Sequence, residues 1–80
     1  MTIRIAPEPT KVAYWEGCED AYDDAAQRCR DGAYMLDKKA ADTSRDVITR
    51  AKMRAKAEVL RTMADTFEKQ ALRARKVTDP

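Results

Sequence analysis

From Thr10 to Ala41 apolar residues return at helical spacing. Trp15, Tyr22, Cys29 and Leu36 recur at every seventh position, Cys18, Ala25 and Gly32 form a second column, and Ala26, Ala33 and Ala40 form a third. At 100° per residue the three columns share a stripe roughly 100–120° wide, which predicts a core-facing amphipathic helix. The Gly32 column continues into Lys39, so the stripe weakens near its end. Small residues in two of the columns let a second backbone approach closely.

The stretch Thr43–Val77 contains neither Gly nor Pro and is dominated by Ala, Arg, Lys, Met, Glu and Leu, all good helix formers. Thr43-Ser44-Arg45-Asp46 has the form of a capping box at its start, and Arg73, Arg75 and Lys76 suit the negative end of a helix dipole. Ile48, Ala55, Val59, Met63, Phe67 and Ala74 are the expected inner face, broadened by Leu60, Ala64 and Ala71. Steps of four predominate, so this stripe is expected to wind around the helix instead of keeping a strict heptad.

Two points of punctuation shape the chain. Pro7 and Pro9 hold the alternating segment Thr2-Ile3-Arg4-Ile5-Ala6 out of a helix, giving an extended arm over residues 1–9, either laid on a helix or paired as a strand. Gly32 lies inside the first stripe and in phase with it; a mid-helix Gly costs only about 1 kcal/mol, so continuity is favoured over a break. The short turn around Ala41-Asp42-Thr43-Ser44 then makes the two helices antiparallel neighbours. The expected fold is all-α: a long antiparallel helical hairpin, helices about 10–41 and 43–77, with hairpin domain 10–80 after the arm.

Composition adds a reason for partners. The chain has 80 residues, 44% hydrophobic but only 6% aromatic, and 38% charged. A chain this short buries only about 60% of its unfolded surface, and one so rich in Ala buries little area per residue. Association is the usual remedy for a thin core, and an inner face that widens along the second helix needs more cover than one Ala-rich helix gives. Pairing of two hairpins into a four-helix bundle is therefore expected, as a homodimer or with an obligate protein partner. Trp15, Tyr22, Leu36, Val59, Leu60, Met63 and Phe67 are the candidate interface, and Tyr34 and Met35, off the stripe, suggest a further contact near the turn. Acids outnumber bases before position 43 and bases outnumber acids after it, for a net charge of +2. This split favours the antiparallel register.

Chemistry is sparse. With no His and a single Ser, nucleophilic and general-base catalysis lack their usual groups, and no enzyme is expected. Glu16, Glu19, Asp20, Asp23 and Asp24 lie outside the stripe, Glu16, Asp20 and Asp23 over the outer surface with Asp24 further round. They are read as a solvated acidic face and lack the ligand spacing of a calcium loop. Cys18 and Cys29 are too few for a four-ligand zinc site within one chain. On one helix they stand about 16 Å apart along the axis, beyond the ~7 Å reach of a disulfide, so they are read as buried free thiols. Neither metal nor cofactor is expected. The basic run Arg45, Arg50, Lys52, Arg54, Lys56, Arg61 is the feature most suggestive of a ligand. Arg50, Arg54 and Arg61 fall on one side of the helix, away from Ile48, Val59 and Met63, as a row that neutralises phosphates would. Nucleic-acid binding there is the alternative to a purely protein-directed role.

No apolar run is long enough to span a membrane, and the first residues lack the pattern of a signal peptide, so a cytoplasmic address without membrane contact is expected. Trp15-Glu16-Gly17 is similar to the Trp-x-Gly of small helical hairpins exported by type VII secretion, but there the motif lies in the turn. Thr2-Ile3-Arg4-Ile5 with Thr43-Ser44-Arg45-Asp46-Val47-Ile48 resembles ribbon–helix–helix repressors, whose first helix is far shorter. The chain is assigned to neither family.

Overall fold

The computed structural model describes residues 9–78, which form two helices, α1 (Pro9–Ala40) and α2 (Val47–Thr78), packed side by side as an antiparallel hairpin. The expected arm lies, apart from Pro9, outside the described residues, and so does its pairing as a strand. Pro9 itself opens α1, where a missing amide hydrogen costs nothing. Helix α1 runs through Gly32 without interruption, and its backbone there is ordinary helix with no positive φ.

The turn is longer than the sequence suggests, because α2 starts at Val47 and not at Thr43. Asp42, not Thr43, organises the bend: its Oδ1 accepts the Ser44 amide at 3.0 Å and the Ser44 hydroxyl at 2.7 Å. The Arg45 amide then closes onto the Asp42 carbonyl at 3.2 Å. Asp46 is the N-cap, accepting the Thr49 amide on Oδ1 at 2.6 Å, while its carbonyl takes the first helical bond, from Arg50 N at 3.1 Å. The residue expected to reach back from within the first turn is thus the cap itself.

The core is made of methyl groups. Among the described residues the fully buried ones are Ala26, Ala33 and Ala40 on α1 and Ala57, Ala64, Ala71 and Ala74 on α2, and no larger side chain is fully enclosed. On α2 the seam follows strict alternating steps of three and four: Arg50, Met53, Ala57, Leu60, Ala64, Phe67, Ala71, Ala74, each buried or half-buried. This corrects the expected winding stripe. Ile48, Val59 and Met63, expected inside, are 68%, 59% and 42% exposed, and Ala55 is exposed as well. The reason is geometric: alanine lets two helices close toward the short end of the usual ~8–10 Å separation. At that spacing small residues occupy the midline, and larger ones lean to its sides.

Candidate interaction face

The two sides of the seam differ in kind. On one side cross-helix ion pairs join the helices. Arg30 Nη2 lies 2.6 Å from Glu68 Oε1 and 3.9 Å from Asp65 Oδ1, Arg61 pairs with Asp37, and Arg75 donates from Nε to Glu19 Oε1 at 2.7 Å. The expected attraction between an acidic first half and a basic second half is met at Glu19–Arg75 and Asp37–Arg61, and reversed at Arg30. All these side chains are partly solvated except Glu19, whose side chain is 17% exposed, so each pair selects register more than it stabilises.

The other side is apolar and open. The columns Trp15–Tyr22–Cys29–Leu36 and Met53–Leu60–Phe67 lean onto it from the seam, and Cys18–Ala25–Gly32 and Lys56–Met63–Gln70 border it. Tyr22, Cys29, Leu36, Met53, Leu60 and Phe67 are only half-buried, and Trp15 is 36% exposed. Tyr22 and Phe67 stack across the helices with centroids 6.3 Å apart. Close packing continues at Gly32, where an added Cβ would stand 3.2 Å from Leu60 Cδ1. Towards the turn, Leu36, Leu60, Val59, Ala55 and the Lys56 stem line a shallow apolar groove.

The residues expected at an interface, Trp15, Tyr22, Leu36, Val59, Leu60, Met63 and Phe67, are thus gathered on this one side of the hairpin. Cys29, Met53 and Lys56 belong with them. Cys29 already stood in the Trp15 column, and Met53 follows from the strict alternation of three and four, which the emphasis on large side chains obscured; no seam pattern marks Lys56. Tyr34 and Met35 are exposed near the turn, as expected, with Lys38 Nζ 5.3 Å from the Tyr34 ring centroid. Cys18 and Cys29 are free thiols, half-buried where full burial was expected.

The proposed phosphate-binding row is arranged differently from expectation. Arg50 faces α1 and donates from Nε to the Ala40 carbonyl at 2.7 Å, tying down the last turn of that helix. Arg61 is paired with Asp37, and Arg54 alone of the three is exposed with no partner among the described residues. Among the described residues no cluster of His, Cys, Asp and Glu has the geometry of a metal site, and no helix is long and apolar enough to cross a membrane. Of the carboxylates, Asp42 and Asp46 are held below the usual value of 3.8, in each case chiefly by the hydrogen bonds they accept, from Ser44 and from Thr49. Comparison with protein-family models, with curated proteins and with solved structures found no match.

Proposed function

We propose that the chain is a non-enzymatic assembly module whose hairpin forms one half of a hydrophobic core and receives further helices on its open side. One observation carries this reading: among the described residues only alanines are fully buried, while Tyr22, Cys29, Leu36, Met53, Leu60 and Phe67 gather, half-buried, on the side opposite the ion pairs. Contiguous apolar surface of this kind marks a site of association. A second hairpin would complete a four-helix bundle, and helices of another protein would serve the same geometric need.

Met63 and Leu72 provide the test, being 42% and 52% exposed on opposite sides of α2. A photoreactive aliphatic residue placed at position 63, in the cells that produce the protein, is expected to give discrete protein adducts. The same residue at position 72 is expected to give few. Adducts of equal yield at both positions, or none at 63, would refute the assembly role.

A further inference from the structure

The charges around the open side separate by sign. Lys39 and Lys56 continue the columns that border it at the turn end, and Lys52 and Arg73 share the outer column of Val59 on the α2 rim; all four are exposed and make no ion pair within the hairpin. Arg28 stands on the α1 rim and is held at 3.1 Å by Asp24 of the neighbouring outer column. Among the described residues no Asp or Glu occupies any column of this side. The acids lie on the ion-paired side or the outer surface, as with Asp37, Glu68 and Asp65. The hairpin therefore matches opposite charges where its own helices meet and leaves cations unmatched where its apolar side chains are uncovered.

That pattern bears on the identity of the occupant. A second copy laid face to face would bring the same cations and no facing acid, and juxtaposed like charges disfavour a pairing. We propose that the open side binds an acidic amphipathic helix of a different protein. Its apolar stripe rests on Leu36, Leu60 and Phe67, and its flanking carboxylates reach Lys39, Lys56 and Arg73. Cys18, Ala25 and Gly32 keep the α1 edge of the groove low, so a third helix can settle between the two. The apolar stretch from Cys18 to Leu36 is about 27 Å long at 1.5 Å per residue, enough for about five turns of such a helix. This inference rests on the assembly reading and names its partner class.

The probe is a synthetic peptide of about 28 residues, four heptads, with Leu at core spacing and Glu on both flanks. A twin carries Lys in place of every Glu. Trp15 is the single Trp and reports through its own fluorescence. The acidic peptide is expected to saturate the protein and shift the Trp15 emission to the blue, with affinity falling as salt rises. Lys56→Glu and, separately, Lys39→Glu should weaken it at least tenfold and admit the basic twin, while Arg54→Glu, on the ion-paired side, should not. Circular dichroism checks that each variant stays helical. The protein alone should scatter light as a monomer at micromolar concentration. Equal binding of the twins, or no binding of either, would overturn the proposal. So would displacement of the peptide by phosphatidylglycerol vesicles or by a random RNA. A stable homodimer that excludes the peptide would overturn the acidic partner yet leave the assembly role standing; uniform crosslinking at positions 63 and 72 would remove that role itself.

Discussion

Leu60 Cδ1 sits 3.2 Å from the point where a Cβ on Gly32 would stand, whereas nothing lies within 4 Å of the same point on Gly17. Both glycines lie inside α1, and each costs the helix about 1 kcal/mol relative to Ala. Gly17→Ala should therefore recover most of that amount. Gly32→Ala should recover less, because Leu60 must give way by a few tenths of an ångström. Urea denaturation followed by circular dichroism measures both, and an equal gain at the two positions would be inconsistent with the Gly32–Leu60 packing.

The alanine seam makes an unusual prediction about larger side chains. Ala64 is 1% exposed between the helices, so Ala64→Leu must push the backbones apart and should cost about 1–3 kcal/mol despite the added hydrophobicity. Ala51→Leu, at an exposed position, should change stability by less than about 0.5 kcal/mol. A stabilised Ala64→Leu protein would show that the helices do not meet at this column.

The ion-paired side can be tested by exchange. Arg30→Glu or Glu68→Arg alone sets like charges 2.6 Å apart in the present geometry and should lower stability, each by no more than about 1 kcal/mol since both partners are well solvated. The double exchange should restore most of the loss at low salt. Losses that simply add would mean that the pair does not couple the helices.

Acid should loosen the turn. The carboxyls of Asp42 and Asp46 are both lowered from 3.8 in the folded chain. The stability that each contributes is present above that value and is lost as the pH falls through the lower folded-state value. Melts recorded between about pH 5 and pH 2 should therefore show a decline that is shallower in Asp46→Asn, which keeps an acceptor for the Thr49 amide but cannot titrate. Asp46→Ala should melt at lower temperature throughout. An unchanged acid slope in both variants would place the titration elsewhere.

Much of the architecture was legible because it rests on local rules. A helical period carried through Gly32, a stretch free of Gly and Pro from Thr43 to Val77, and a short polar turn between them specify a hairpin. The phase of α2 was harder to read. Val59, Met63 and Ile48 are larger than Ala57, Ala64 and Ala71, and a reading weighted by side-chain size places them inside. Two closely packed helices invert that order, since only methyl groups fit on the midline. The start of α2 was misread for a related reason: Thr43, Ser44 and Asp46 are all competent caps, and the bend around Asp42 decides which of them is used. The seven large side chains named from the sequence nevertheless share one side of the hairpin, because the alanine midline leaves no room for them. The row Arg50, Arg54, Arg61 was identified by charge alone, and charge does not say that Arg50 closes on the Ala40 carbonyl.

An interior built only from methyl groups also separates two kinds of mutational freedom. Replacement at Ala33, Ala57 or Ala64 changes the spacing of the helices and so threatens the hairpin itself. Replacement at Val59 or Met63 alters mainly what the hairpin shows to its surroundings, because these exposed side chains stand beside the seam and not in it. A lineage carrying this scaffold can therefore vary its exposed apolar side in small steps without first having to refold.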